Sequence, residues 1–239
     1  MNIFNKIYSL GKILKDNGYK TLAMMGTNKN LAGMNNFFKL HGIDEIIGFE
    51  DIKNCTRADW GCLDEEVFKI AKEKINNFDR NRPFFIHIQT IDTHFGYKIP
   101  NYLFKKKGFF DEYKDAIYNT DFVLYNFIQW MRQQPFFENT VIIIIGDHLR
   151  MGNDFKMPEY RNIYNLFLNS VKTKNIHRTF TQIDLFPSIL EAMGVELKGH
   201  KLGLGVSIFS NEKTLAEIFS NSELENELSK PNKLYNNLW

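Results

Sequence analysis

The stretch VIIIIGDHLRMGND, residues 141–154, sets four consecutive isoleucines directly before Gly146, Asp147 and His148. A continuous apolar run is what a strand buried on both faces requires, and in open α/β sheets ligands sit beyond the carboxyl ends of such strands. An acid and an imidazole at that place supply the oxygen and nitrogen donors taken by Mn²⁺, Zn²⁺ or Mg²⁺. Neighbouring side chains on a regular strand point to opposite faces, so both reach one ion only where the backbone turns, and Gly146 permits that turn. The plain alternative is a solvated acid beside a hydrogen-bonded histidine, and a dipeptide alone does not decide between them.

A second apolar strand, PFFIHIQT at 83–90, runs into the polar turn IDTHFGY. If the two strands lie parallel, His94 in that turn reaches the same sheet edge as Asp147 and His148. Arg150 follows closely and carries a guanidinium that matches phosphate geometry, although a surface arginine is the commoner case. Asp184, in QIDLFPS, reads as a helix cap. His87 lies mid-strand and reads as a core histidine, and His41 falls in the last turn of a helix, where positive charge is favoured. His177 and His200 fall in loops, and none of these four histidines is assigned a role.

Outward from these stretches, helices and strands alternate. Ile3, Phe4, Ile7, Leu10 and Leu14 recur at helical spacing, with Gly18 where a left-handed cap belongs, and the strand TLAMM follows. Leu31–His41 and Leu63–Phe78 read as helices, the first stopped by Gly42. A long helix is expected from about Asp111 to Arg132, a strand in NIYNLFLN, and a helix in TQIDLFPSILEAMG ended by Gly194. Residues 211–239 are polar and helix-prone. This alternation predicts an α/β fold with a mostly parallel sheet covered by helices, in one domain spanning residues 1–239.

The bulk numbers exclude several classes. A chain of 239 residues, 44% hydrophobic and 24% charged, is ordinary globular material. Its net charge of +2, with acidic and basic residues interleaved, gives no nucleic-acid footprint. The apolar runs are strand-length, too short to span a bilayer, and no secretory signal is apparent at the amino terminus. Cys55 and Cys62, the only cysteines, make no zinc site; a local disulfide and two buried thiols both remain open.

PFFIHIQTIDTHFGY, NTVIIIIGDHLRMGN, RTFTQIDLFPSILEAMGVELKGHKLGLGVSIFS and KTLAEIF, in this order, resemble the carboxyl-terminal portion of the sulfatase/alkaline-phosphatase superfamily. Within it they are most similar to the phosphoglycerol transferase and lipoteichoic acid synthase branch. The resemblance runs from GYKT onward. It implies a three-layer αβα sandwich, incomplete here at its amino-terminal side, and a catalytic domain in the cell envelope, on the outer face of the cytoplasmic membrane. Amino-terminal membrane helices, absent from this stretch, usually tether such domains. The implied chemistry is transfer of phosphoglycerol from the phosphatidylglycerol head group to a glycan or polymer hydroxyl, through a covalent threonine intermediate. The implied cofactor is a divalent metal, commonly Mn²⁺, with Zn²⁺ or Mg²⁺ as alternatives. By this match Asp147 and His148 are metal ligands and His94 a substrate-phosphate contact, with Arg150 beside them.

Two departures qualify the resemblance. Family enzymes draw their threonine nucleophile and a further acidic ligand from sequence upstream of the block matching GYKT, so no catalytic nucleophile is assigned in this chain; Thr90 and Thr93 do not match its segment. In the loop MMGTNKNLAGMNN, Met25, Ala32 and Met34 stand where lipoteichoic acid synthases carry a histidine, an aromatic residue and an arginine. This argues against glycerol-phosphate polymerisation and for a simpler phospho-group transfer. The alternatives are a non-catalytic phosphate-binding module and a phosphoethanolamine transferase, sulfatase or phosphodiesterase of the same superfamily.

Overall fold

A computed structural model describes residues 8–58, 60–94, 108, 111–149, 161–170 and 178–233. Its contacts gather into two compact units, one ending at Gln134 and one beginning at Pro135.

The first unit is built on a parallel three-stranded sheet. Strand β1 (Lys20–Met25) lies between β2 (Glu45–Ile47) and β5 (Phe84–Gln89), with Leu22 opposite Glu45 on one side and Ile86 on the other. Every residue from Thr21 to Met25 is buried, so β1 is covered on both faces. Helix α1 (Leu10–Asp16) feeds it; Ser9 caps the helix by accepting from the Lys12 N–H, and Gly18 closes it in the left-handed conformation at φ 84°. The apolar positions Ile3, Phe4 and Ile7 lie outside the described residues.

Leu31–His41 does not form one helix. A 3-10 turn over Leu31–Gly33 precedes α2 (Met34–Leu40), and Ala32 and Gly33 both take positive φ. The preceding asparagines explain the break. Asn28 accepts from the Asn30 N–H at 2.8 Å and Asn30 accepts from the Asn35 side chain at 2.9 Å, local bonds that compete with helical ones.

Helix α3 (Asp64–Asn76) buries Val67, Phe68, Ala71 and Ile75 along one face, each worth roughly 1.5–3 kcal/mol for a large apolar side chain and less for alanine. Its Phe68 stacks on Phe127 of α4 (Glu112–Arg132), ring centroids 4.9 Å apart. Asp111 caps α4 through the Lys114 N–H. Between β2 and α3 lies a short hairpin, β3 (Arg57–Ala58) and β4 (Gly61–Cys62), and Cys55 and Cys62 form a disulfide across it.

In the second unit β6 (Ile142–Ile145) pairs antiparallel with β7 (Asn165–Leu168), Ile143 opposite Phe167. This pair departs from the parallel arrangement of the first unit. The isoleucines are only half-buried and Ile145 is exposed, because among the described residues of this unit β6 has the single neighbouring strand β7. A 3-10 turn over Gln182–Asp184 leads into α5 (Leu185–Ala192), and Gly194 ends it at φ 90°. Asp184 does cap, but at the turn: its carboxylate accepts from the Thr181 N–H at 2.9 Å and from the Val206 N–H at 2.8 Å. A small hairpin, β8 (Lys201–Leu202) and β9 (Gly205–Val206), precedes α6 (Leu215–Ile218) and α7 (Asn221–Leu228), both opened by capping boxes. Among the described residues no helix is long and apolar enough to cross a membrane.

Candidate functional site

In the first unit the carboxyl ends of β1 and β5 are held by a network of short-range locks. Gly26, which ends β1, accepts at its carbonyl from the Cys62 N–H at 2.8 Å. A Cβ on Gly61 would collide with that same carbonyl oxygen, so the hairpin can sit this close only with glycine at its turn. At the end of β5, Ile91 and Asp92 are buried, and both are anchored by Asp64 at the start of α3. The Asp64 carboxylate accepts from the Ile91 N–H at 2.7 Å and from the Asp92 N–H at 3.3 Å. In return the Asp92 carboxylate accepts from the Asp64 N–H at 3.1 Å, one of the donors that a helix start leaves free.

Two carboxyls this deeply enclosed cannot both hold their charges at the usual cost. Burial raises both pKa values above the ordinary carboxylate range, and at Asp92 the neighbouring negative charge of Asp64 adds to it. The backbone donors and the Thr120 hydroxyl, 3.4 Å from Asp64, oppose the rise. One Asp92 oxygen is buried without a hydrogen-bond partner.

His94 follows this anchor. Its N–H donates to the Ile91 carbonyl at 2.9 Å, a tight turn, and its imidazole lies against the indole of Trp60 with ring centroids 4.2 Å apart and a 33° tilt. Trp60 sits at the hairpin turn and stays 40% exposed. Backbone and ring of His94 are thus held by different elements, α3 for the first and the β3–β4 hairpin for the second.

In the second unit Asp147 and His148 stand at the carboxyl end of β6 with their side chains open to solvent, 83% and 51% exposed. Asp147 accepts from the His148 N–H at 2.9 Å, and its other carboxylate oxygen lies 3.4 Å from His148 Nε2. His148 Nδ1 lies 2.8 Å from the Leu149 carbonyl oxygen, a bond that leaves Nε2 as the outward nitrogen. Two donors that each sit ~2.1 Å from one ion at an angle of ~90–110° are separated by roughly 3.0–3.4 Å. The separation observed lies at the upper end of that range, between two adjacent side chains that are both open to solvent. Among the described residues no group of three or more His, Cys, Asp or Glu side chains is placed to hold a metal.

Gly146 does its work differently from the expectation. It does not take a left-handed conformation; its N–H donates to the Tyr164 carbonyl at 2.9 Å, and a Cβ there would come within 2.9 Å of the Ile163 side chain. Close packing of the 163–164 segment, rather than a backbone reversal, is what excludes a side chain. The Gln182 side-chain amide donates to the Asp147 carbonyl and ties this end of β6 to the turn before α5.

Of the remaining candidates, Arg150 and His177 lie outside the described residues. His87 lies mid-strand in β5 with its ring 5.4 Å from that of Phe38; its surface reaches solvent, while the protein around the imidazole lowers its pKa by desolvation. His41 is buried at the end of α2 against Phe37. His200 is paired: its Nδ1 lies 2.6 Å from the fully buried Glu191 carboxylate. The Asp64–Asp92 anchor and Trp60 escape sequence reasoning, although Asp64 opening a helix directly after Leu63 is a visible trace of the former.

The sulfatase family model matches residues 2–195. Phosphoglycerol transferase I of Shigella flexneri is 30% identical over 96% of this chain, which spans 32% of that protein, so the chain covers about a third of the length of such relatives. A protein of the alkaline phosphatase superfamily from Vibrio parahaemolyticus superposes with a TM-score of 0.73 at 23% identity, over 91% of this chain and 54% of that one. The lipoteichoic acid synthase LtaP from Listeria monocytogenes superposes with a TM-score of 0.70 at 20% identity, over 86% and 57% of the two chains. The likeness to both solved structures shows a shared fold. The model match covers well over half of the sequence, and the chain belongs to the sulfatase family.

Proposed function

We propose that this chain is the carboxyl-terminal part of a metal-dependent phosphoglycerol transferase, acting in the cell envelope on the head group of phosphatidylglycerol and a glycan or polymer hydroxyl. The observation that carries the reading is the donor pair at the end of β6, Asp147 Oδ2 and His148 Nε2 at 3.4 Å. The similarity to phosphoglycerol transferase I supports the choice of phosphoglycerol among the transferred groups. The Cys55–Cys62 disulfide supports an oxidising compartment outside the cytoplasm.

Asp147 and His148 would hold a divalent ion, Mn²⁺ first among the candidates. When bound, such an ion screens phosphate charge and lowers the pKa of a coordinated hydroxyl. His94 would donate a hydrogen bond to a non-bridging phosphate oxygen, and Arg150 would offer a guanidinium to an anionic group. No residue of this chain is assigned as nucleophile; a threonine in a preceding segment would supply it.

The test is release of phosphoglycerol from phosphatidylglycerol vesicles by the protein that carries this chain as its carboxyl-terminal part, with Mn²⁺ present. Activity that falls at least 100-fold in Asp147→Ala supports the reading. Turnover of a sulfate ester or of phosphatidylethanolamine in its place, with phosphatidylglycerol untouched, would transfer the assignment to another branch of the family.

A further inference from the structure

We propose that Trp60 is a positioning residue for the His94 imidazole and that the Cys55–Cys62 disulfide is the mount that keeps it there; the functional consequence rests on the reading of His94 as a phosphate contact. The two residues are 34 positions apart in sequence, and their rings meet at 4.2 Å. Contact at this range between an indole and an imidazole, tilted by 33°, covers one face of the histidine and removes ring orientations that a solvent-exposed side chain would sample.

The backbone of His94 is fixed already. Asp64 holds Ile91 and Asp92 by their amides, and the His94 N–H closes a turn onto the Ile91 carbonyl. The side chain adds two torsions to that backbone, and Trp60 is a group against which the ring rests. A phosphate contact held in one orientation avoids the entropy of immobilising it at each binding event.

Trp60 in turn depends on its hairpin, and that hairpin is too small to hold itself. Among the described residues two pairs form it, Arg57 with Cys62 and Ala58 with Gly61, and isolated two-stranded ribbons are marginal in water. Its support comes from outside the ladder. The disulfide closes the loop from Cys55 to Cys62, the Leu63 N–H donates to the Thr56 carbonyl at 3.1 Å, and the Cys62 N–H reaches the Gly26 carbonyl at 2.8 Å. Arg57 packs its guanidinium over the Phe49 ring at 4.7 Å. Cys62 belongs to both the covalent closure and the β1 contact, so the bridge ties the Trp60 turn to the sheet.

The test follows the His94 ring resonances of this chain by NMR. In the oxidised protein the Trp60 ring current displaces the His94 signal from the position of a free histidine. Dithiothreitol delivers two electrons and two protons to the bridge, giving two thiols and its own cyclic disulfide, while Trp60 stays in the chain. With the amide spectrum of the sheet unchanged, the expected result is a shift of the His94 signal back toward the free position. An unmoved signal after reduction verified by mass overturns the mount.

Affinity for sn-glycerol 1-phosphate, read on the same spectra, supplies the second arm. Trp60→Leu weakens it about threefold to tenfold, the factor set by the coupling of one aromatic pair, and Trp60→Phe restores it. In a His94→Ala background Trp60→Leu has no further effect. Equal affinity in Trp60→Leu and the parent overturns the positioning role. A probe that leaves the displaced His94 signal unmoved in the parent protein counts against the phosphate-contact reading alone and leaves the ring contact and its mount standing.

Discussion

Asp64 and Asp92 hold each other by the backbone: the carboxylate of Asp64 accepts the Asp92 N–H at 3.3 Å, and the carboxylate of Asp92 accepts the Asp64 N–H at 3.1 Å. The exchange joins the first turn of α3 to the segment leaving β5, and His94 stands two residues beyond it. Secondary-structure ladders end at both places, so side chains do the joining.

The pair makes stability depend on pH in a direction opposite to a salt-bridged acid. Both carboxyls have folded pKa values raised by burial, so the folded state binds more protons than the unfolded one above the ordinary carboxylate value of ~4. Stability is then full below that value and falls as pH climbs through the raised pKa values of the two carboxyls. Asp92→Asn keeps an oxygen for the Asp64 N–H and removes the charge. Denaturant melts should show the variant matching or exceeding the parent at pH 8 by ~1 kcal/mol, with a flatter profile between pH 4 and 8. A parent profile that rises over this window contradicts the assignment.

Removing Asp64 is a different perturbation, because two buried amides lose their acceptor. Asp64→Ala leaves the Ile91 and Asp92 N–H groups unsatisfied, at a cost of about 1–3 kcal/mol each. The expected total is ~3 kcal/mol by chemical denaturation. Faster amide exchange at Ile91 and Asp92 than elsewhere in β5 locates the effect.

Gly61 offers a test that joins steric collision to backbone strain, since its φ of 151° is one that L side chains rarely adopt. Alanine there meets the carbonyl of Gly26, a backbone atom that cannot swing aside. Gly61→Ala should cost about 1–3 kcal/mol, the range for overpacking. It should also lower the Tm, while alanine at Gly18, where nothing lies within 4 Å, meets only the left-handed backbone penalty of ~1 kcal/mol.

The second unit has its own polar hub in Arg178. Its guanidinium donates to Glu217 at 2.5 and 3.0 Å, to the Ser210 carbonyl at 2.6 Å and to the Glu212 carbonyl, joining α6 to the segment after β9. The paired guanidinium holds the Glu217 carboxyl down at about 2. This contribution is present above the unfolded value of ~4.3 and lost as pH falls toward 2. Arg178→Ala should destabilise by ~2 kcal/mol at pH 7 and by less at pH 2, as read by thermal melts at the two pH values.

Local pattern made much of this legible in advance. Gly18 and Gly194 end their helices as their positions announce, and the apolar runs at 84–89 and 142–145 are strands. Helical spacing also located α3 and α4 to within a residue or two at most ends. What escaped depends on contacts between distant residues. Asp64 and Asp92 are 28 positions apart, and nothing in either local sequence marks them as partners. Trp60 reads as one more aromatic residue until the hairpin folds. The isoleucine run announced burial on both faces, yet among the described residues β7 is its one neighbour and it stays half-buried, because apolarity reports a preference for cover and not the cover itself. Asp147 and His148 were legible as a donor pair from adjacency alone, while their separation of 3.4 Å required the fold.

Titration of the chain with Mn²⁺, read as paramagnetic broadening of its histidine ring signals, tests the central claim most directly. The account predicts that His148 broadens first, and that Asp147→Ala weakens the effect at least tenfold. Equal broadening of His148 in the parent and in Asp147→Ala, or a His148 signal that stays sharp while other histidines broaden, would contradict the shared ion and with it the metal-dependent transferase.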